Sequence, residues 1–120
     1  MSYKLTINKE NDFLYAIING IRTSESIKNV TKEICEECIK NQCTKVMVDV
    51  RDFKGHIKSS DLFSLGSNEL SEISGKSIKK VAILDIEGNE KSQNFFENVS
   101  RFWGHNVSIF TDIIDAKQWL

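Results

Sequence analysis

The sequence predicts a single α/β domain over residues 1–120, with a mixed, mostly parallel five-stranded sheet and about four helices. Short apolar segments of strand length alternate with segments in which apolar residues recur at helical spacing, as in parallel strands joined by helical crossovers. Only the first two apolar segments are joined by a short polar turn, which adds one antiparallel strand. A chain of 120 residues fits one domain and can bury enough surface to fold without a disulfide or a metal. The predicted order is β-β-α-β-α-β-α-β-α.

The first two strands form a predicted hairpin. Residues 3–7 alternate between polar and apolar side chains, and residues 13–18 are almost continuously apolar. Residues 8–12 between them are a cluster of turn formers. We expect Gly20 to close the second strand.

A first helix is predicted over residues 24–41. Thr23 or Ser24 can serve as the N-cap, and Glu25 places a carboxylate in the first turn, where the helix dipole favours it. Apolar side chains at helical spacing form one buried stripe on this helix. The stripe consists of Ile27, Val30, Ile34 and Cys38.

The third strand is predicted over residues 46–50, which are apolar on both faces as in a central strand. Residues 51–58 are charged and polar and are interpreted as a loop. Ser59 or Ser60 then caps a second helix. Its predicted inward residues are Leu62, Phe63, Gly66, Leu70 and Ile73.

The second half of the chain continues the alternation of strands and helices. Residues 81–86 form a fourth strand, a turn at residues 87–89 leads into a third helix, and Gly104 ends that helix. Residues 107–110 form the fifth strand, and Asp112 caps a short last helix. The predicted inward residues of the third helix are Phe95, Phe96, Val99, Phe102 and Trp103.

Composition excludes several classes of function. Sixteen basic and seventeen acidic residues give a net charge of −1, so no global field attracts nucleic acid or anionic lipid. Basic segments with interleaved aromatic residues, which stack on bases, are missing from the sequence. The apolar segments are too short to span a bilayer, and residues 1–9 do not have the pattern of a signal peptide. We therefore expect a cytoplasmic protein without a transmembrane segment.

The three cysteines are Cys35, Cys38 and Cys43. An odd number without a secretory signal indicates reduced thiols. Cys35 and Cys38 form a C-x-x-C pair, but this pair lies well inside a predicted helix beside two glutamates, whereas redox pairs lie at helix N-termini. A zinc site needs a second pair of ligands. We interpret the cysteines as structural and predict no cofactor and no metal.

Two motifs carry a resemblance to a known family. Residues 48–55 read Val-Asp-Val-Arg-Asp-Phe-Lys-Gly, and residues 107–112 read Val-Ser-Ile-Phe-Thr-Asp, followed by Ala116, Trp119 and Leu120. These motifs and the element order of the whole chain resemble the SpoIIAA-like family. That family has a STAS-like fold, and it is similar to the lipid-binding CRAL-TRIO (Sec14-like) domains.

The resemblance implies a function without catalysis. STAS relatives act as anti-sigma-factor antagonists that bind a partner kinase and are switched by phosphorylation of a serine, which by position falls here on Ser59 or Ser60. This chain departs from the antagonists in lacking an Asp-Ser pair in a short loop after the strand. We expect a bacterial regulatory domain that acts by protein–protein contact. The alternative, implied by the Sec14-like resemblance, is a carrier of a small apolar or lipid-like ligand.

Polar residues collect where the predicted strands end, which is where open α/β sheets bind ligands. Asp49, Asp52 and His56 lie at or after the third strand, and Asp85 closes the fourth. Carboxylates with a histidine could hold a metal or exchange protons. Aspartate and serine also serve as caps and turn formers at such positions, and we favour that interpretation. We predict no catalytic residue and assign these four residues to contact with a ligand or partner.

The aromatic residues of the third helix allow three interpretations. Core packing is the one we favour, since positions 95, 99, 102 and 103 form one stripe. Phe96 lies at the edge of that stripe. Phe96 and Trp103 could instead line an apolar pocket or form a homodimer surface. They join the predicted contact residues.

Overall fold

The computed structural model describes residues 3–55, 78–86 and 106–120. These residues form five strands and two helices. In chain order they are β1 (Tyr3–Lys9), β2 (Leu14–Ile21), α1 (Ser24–Lys40), β3 (Lys45–Lys54), β4 (Lys80–Leu84), β5 (Val107–Phe110) and α2 (Ile113–Trp119). The second and third predicted helices lie outside the described residues, so the number of four helices stays a prediction. No helix of the described part is long and apolar enough to cross a membrane.

The strands form one mixed sheet in the order β1-β2-β3-β4-β5. β1 runs antiparallel to β2, and the pairings β2–β3, β3–β4 and β4–β5 are parallel. Lys45–Asp49 pairs with Lys80–Leu84, so the third and fourth strands lie side by side as predicted. The sheet therefore brings the carboxyl ends of β2, β3, β4 and β5 to one edge.

Apolar side chains lie on both faces of the sheet, and within the described residues α1 packs against one face and α2 against the other. The face under α1 holds the larger cluster, whose buried members include Leu14, Ala16, Ile18, Val30, Ile34, Cys38, Val46 and Val107. The face under α2 holds Met47, Ala82, Leu84 and Ala116. We call these the α1 face and the α2 face. The predicted stripe of α1 is confirmed, because Val30, Ile34 and Cys38 are buried and Ile27 packs against them.

Local chemistry fixes both helix starts. Thr23 is the N-cap of α1: its Oγ1 accepts the backbone N–H of Ser26 at 3.0 Å, and the Ser26 Oγ accepts the Thr23 N–H at 2.8 Å. Asp112 caps α2 by accepting the Ile114 N–H at 2.7 Å. Both caps are among those predicted from the sequence.

The prediction that the third strand ends at residue 50 is wrong. β3 continues to Lys54, so residues 51–54 are strand and not loop. Ile17 pairs with Asp49 while Asn19 pairs with Asp52, so three residues of β3 advance against two of β2. This is a β-bulge, in which one extra residue kinks the strand. It places charged residues inside a strand, which explains why the sequence resembles a loop there.

Smaller corrections concern other strand ends. β1 reaches Lys9 instead of residue 7, and β2 continues one residue past Gly20 to Ile21. Gly20 takes a φ of 144°, a conformation open to glycine, and so stays within the strand. β4 ends at Leu84, so Asp85 and Ile86 lie just beyond it.

Candidate functional site

Asp49 is the centre of a polar cluster on the α2 face. Its Oδ1 accepts hydrogen bonds from the backbone N–H and the Nε of Arg51, both at 3.1 Å. Its Oδ2 accepts from Arg51 Nη2 at 2.8 Å and from Tyr15 Oη at 2.9 Å. The Asp49 side chain is 7% exposed. Four donors occupy its two oxygens, which is about the number that a carboxylate accepts.

The bulge in β3 explains this arrangement. An extra residue in a strand leaves part of the hydrogen-bond ladder disrupted. The Arg51 N–H donates to the side chain of Asp49, two residues earlier, and so remains satisfied. The same kink brings the Arg51 guanidinium beside the Asp49 carboxylate in a bidentate pair. Tyr15 reaches the pair from β2, the neighbouring strand.

The cluster fixes the charge state of each member. Burial raises the pKa of Asp49, but the hydrogen bonds from Arg51 and Tyr15 together outweigh it, so the pKa lies below its ordinary value. The hydrogen bond to Asp49 raises the pKa of Arg51. Burial and the bond to Asp49 raise the pKa of Tyr15. At neutral pH the cluster is therefore a carboxylate, a guanidinium and a neutral phenol. A group that transfers protons efficiently at neutral pH has a pKa near 7, and the shifts of Asp49, Tyr15 and Arg51 all move their pKa values further from 7.

A second cluster surrounds Asp85 and Arg22. Asp85 follows β4 and is 7% exposed. Its backbone N–H donates to the Phe110 carbonyl at 2.8 Å, and its Oδ1 accepts the N–H of Ile86 at 2.8 Å. Arg22 follows β2, and its guanidinium carbon lies 5.5 Å from the centre of the Phe53 ring. Burial lowers the pKa of Arg22, while the negative charge of Asp85 opposes that shift. The negative charge of Asp85 thus favours the charged form of Arg22.

Gly55 allows the backbone of Arg22 to approach the end of β3. The Arg22 N–H donates to the carbonyl of Lys54 at 2.6 Å. Gly55 has a φ of 139°, and a Cβ there would lie 2.8 Å from the carbonyl oxygen of Arg22. An L side chain would therefore meet both backbone strain and a backbone clash.

The structure divides the predicted carboxylate edge into two clusters. Asp49 lies on the α2 face, where it contacts Tyr15. Asp85 continues the alternation of β4, in which Val81 belongs to the α1 face and Leu84 to the α2 face, and so lies toward the α1 face. Asp52 is exposed. The sheet therefore separates the two buried carboxylates instead of joining them in one site.

Several predicted site residues lie outside the described residues. These are His56, Ser59, Ser60, Phe96 and Trp103. Within residues 3–55, 78–86 and 106–120, no three histidine, cysteine or acidic side chains are grouped so as to hold a metal ion. Cys35, Cys38 and Cys43 are all buried thiols. Burial raises the pKa of Cys38 to about 12, which fits a structural thiol and not a reactive one.

The sequence does not single out Tyr15, Arg22 or Phe53 as members of these clusters. Asp49 and Arg51 do carry a signal, because residues two apart in a strand lie on one face. Tyr15 is 34 residues from Asp49, and only the register between β2 and β3 brings them together.

Comparison with known proteins identifies the fold. No protein-family model and no curated protein matches the chain. A crystal structure of an uncharacterized protein from the DUF3478 family with a SpoIIAA-like fold, from Shewanella loihica PV-4, aligns over 99% of this chain and 94% of its own. The sequence identity is 22% and the TM-score is 0.59. The chain has a SpoIIAA-like fold.

Two further solved structures also align with nearly the whole chain. An anti-sigma factor antagonist from Mycobacterium paratuberculosis aligns over 98% of this chain and 93% of its own, with 6% identity and a TM-score of 0.61. The Bacillus cell fate determinant SpoIIAA in its phosphorylated form aligns over 98% and 100%, with 8% identity and a TM-score of 0.55. The predicted SpoIIAA-like, STAS-like fold is confirmed. The relation to CRAL-TRIO domains stays a prediction.

Proposed function

We propose that this protein is a non-enzymatic bacterial regulatory domain that acts in the cytoplasm by contact with a partner protein. The observation that carries the proposal is the Asp49 cluster, in which an internal arginine and tyrosine occupy both carboxylate oxygens. A carboxylate committed to four internal hydrogen bonds is suited to shape a surface and poorly suited to exchange protons. The structural likeness to an anti-sigma factor antagonist supports a regulatory role.

Two other described carboxylates, those of Asp85 and Asp112, have similar structural tasks. Asp85 accepts the N–H of Ile86, and Asp112 accepts the N–H of Ile114 at the start of α2. Among the predicted contact residues, Asp52 is exposed and is proposed to touch a partner directly. Asp49 and Asp85 are buried and are proposed to act by holding the shape of this edge.

The test is isolation of the full chain, tagged and crosslinked in cells of its native organism, with the tag alone as control. We expect one protein to co-purify in a fixed ratio and the complex to survive native mass spectrometry. Recovery of the chain with a stoichiometric small molecule and no protein would contradict the proposal. That result would favour the carrier alternative, which depends on Phe96 and Trp103.

Phosphorylation at Ser59 or Ser60 is a separate part of the proposal. A phosphate at a helix start gains from the exposed N–H groups and the helix dipole, and the sequence predicts a helix start at these serines. Peptide mass spectrometry of the chain isolated from cells is expected to find a phosphate on one of them. A Ser59→Ala, Ser60→Ala double variant is expected to lose it. If phosphate is found only on other residues, or is absent at every stage of growth, the proposal of phosphorylation at Ser59 or Ser60 is contradicted.

A further inference from the structure

We propose that the exposed part of the α2 face over the ends of β2 and β3 is a docking surface for a partner segment that carries a carboxylate beside an apolar side chain. This surface, the open face, consists of Asn19, Ile21, Arg51, Asp52 and Lys54. The inference rests on the proposed function and extends it by naming the place and the chemistry of the contact.

Strand alternation, together with the bulge in β3, places these residues on one side of the sheet. Leu14, Ala16 and Ile18 belong to the cluster on the α1 face, so Asn19 and Ile21 point to the other side together with Tyr15. Phe53 also belongs to the α1 cluster, which places Lys54 on the opposite side.

The pairing register between β2 and β3 places members of the open face next to each other. Asn19 pairs with Asp52, and Ile21 pairs with Lys54, so each pair lies side by side on adjacent strands. Arg51 contacts Asp49, which contacts Tyr15 on the same face. All five residues of the open face are exposed, and Ile21 exposes 61% of its surface. The apolar side chain of Ile21 is thus exposed to water beside a lysine, and the fixed Arg51 lies three residues before that lysine on β3.

The guanidinium of Arg51 is held ready for a second carboxylate. Nε and Nη2 donate to Asp49, which fixes the plane of the group. The Arg51 side chain is nevertheless 44% exposed. A guanidinium has five N–H donors, so its outer edge, formed by Nη1 and Nη2, can take another carboxylate in a bidentate pair. Because Asp49 has already ordered the side chain, binding loses less conformational entropy.

The local charge favours a single carboxylate over a polyanion. Arg51 and Lys54 carry two positive charges, and Asp49 and Asp52 carry two negative ones. A balanced patch attracts nucleic acid or an anionic membrane weakly. It does offer directional hydrogen bonds from Arg51, and the exposed Ile21 offers apolar area beside Lys54. Interfaces often combine an arginine anchor with an apolar contact in this way.

The experiment selects peptides from a random displayed library against the full chain and measures their affinity by fluorescence anisotropy. We expect the selected peptides to share an Asp or Glu next to a large apolar residue. Lys54→Glu and Ile21→Ser are each expected to weaken binding about tenfold or more. The matched controls are Lys9→Glu and Ile39→Ser, because both residues are exposed and neither belongs to the open face. We expect the controls to bind as the wild type does.

Circular dichroism and thermal unfolding show whether each variant folds, and Lys54→Gln replaces Lys54→Glu if it does not. The inference is overturned if no peptide is selected, if the selected peptides lack acidic residues, or if both open-face variants bind normally. Ile21-dependent dimers in analytical ultracentrifugation would also overturn it, since the occupant would then be a second copy of the chain.

A native partner that binds both open-face variants normally overturns this inference alone. Peptide binding at the open face without any native partner overturns only the proposed function.

Discussion

The phenol of Tyr15 donates a 2.9 Å hydrogen bond to Oδ2 of Asp49 and so joins β2 to β3 through their side chains. The contact lies beside the bulge, where the backbone ladder between the two strands shifts register. Asp49 Oδ1 also accepts a hydrogen bond from the backbone N–H of Arg51 there. Side-chain hydrogen bonds thus take the place of backbone hydrogen bonds where the ladder between the two strands is irregular.

Tyr15→Phe is expected to reduce the free energy of unfolding by about 1–2 kcal/mol, because it removes a hydrogen bond to a buried charged group. Urea unfolding followed by circular dichroism measures the loss. The matched control is Tyr3→Phe, which removes the 2.6 Å bond from Tyr3 Oη to Glu33 on α1. Asp49 is buried while Glu33 is half-buried, so the control is expected to cost less. Equal losses in the two variants would show that Tyr15 has no special role at the bulge.

The pKa of Asp49 makes a part of the stability depend on pH. Its folded value lies below the ordinary value of 3.8, so folding favours the charged form. The stabilisation is therefore fully present above that ordinary value and is lost as the pH falls through the lower, folded pKa. In Asp49→Asn this contribution is absent. We expect the wild type to exceed the variant in free energy of unfolding at pH 7, with a difference that shrinks as acid is added below about pH 4. A difference that stays constant in chemical denaturation from pH 7 to pH 2 would contradict this account.

Features set by nearby residues were predictable from the sequence. The caps Thr23 and Asp112 were predicted because a cap and the N–H that it accepts lie within three residues of each other. The buried stripe of α1 follows from helical spacing alone. The neighbouring third and fourth strands follow from the alternation of strands and helices.

Features set by pairing between strands were not predictable. The bulge is visible only when β3 is aligned with β2, so the charged Arg51 and Asp52 suggested a loop. In the sequence, Asp49 comes near the end of the predicted third strand and Asp85 near the end of the predicted fourth, so the sequence places them at one edge. The face of the sheet on which each aspartate lies depends on tertiary packing and on where the strands end, and neither can be derived from a local sequence pattern. The separation of the two aspartates therefore appears only in the structure.

Gly55→Ala is expected to destabilise the chain by about 1–3 kcal/mol, because alanine is strained at a φ of 139°. The added Cβ would also lie 2.8 Å from the backbone oxygen of Arg22. A backbone atom cannot move aside by a change of rotamer, as a side chain could. Thermal and urea unfolding measure the loss. Lys54→Ala is the control, since Lys54 is the exposed neighbour and such substitutions stay within about 0.5 kcal/mol. A Gly55→Ala variant as stable as the control would disprove the close approach.

Lys80 is expected to hold the end of α2. Its Nζ donates to the carbonyl of Trp119 at 2.8 Å and lies 5.0 Å from the centre of the Trp119 ring. Lys80→Met keeps the length of the side chain and removes both contacts. In a Trp103→Phe background, which leaves Trp119 as the only tryptophan, we expect Lys80→Met to shift the fluorescence emission to the red as the ring becomes wetter. The control, Lys79→Met, changes an exposed neighbour and should leave the emission unchanged. Identical spectra for both variants would count against the contact.

The cysteines are expected to be inert in the folded protein. Cys35, Cys38 and Cys43 are buried, and burial raises the pKa of Cys38 to about 12, so its reactive thiolate is scarce at neutral pH. A chromogenic disulfide reagent at pH 8 should therefore label no thiol in the native chain and three in denaturant. An Ile39→Cys variant provides the positive control, because Ile39 is 47% exposed on the same helix, and its added thiol should react at once. Rapid labelling of the native wild type would mean that the cluster under α1 opens readily, and the interpretation of these thiols as core packing would then fail.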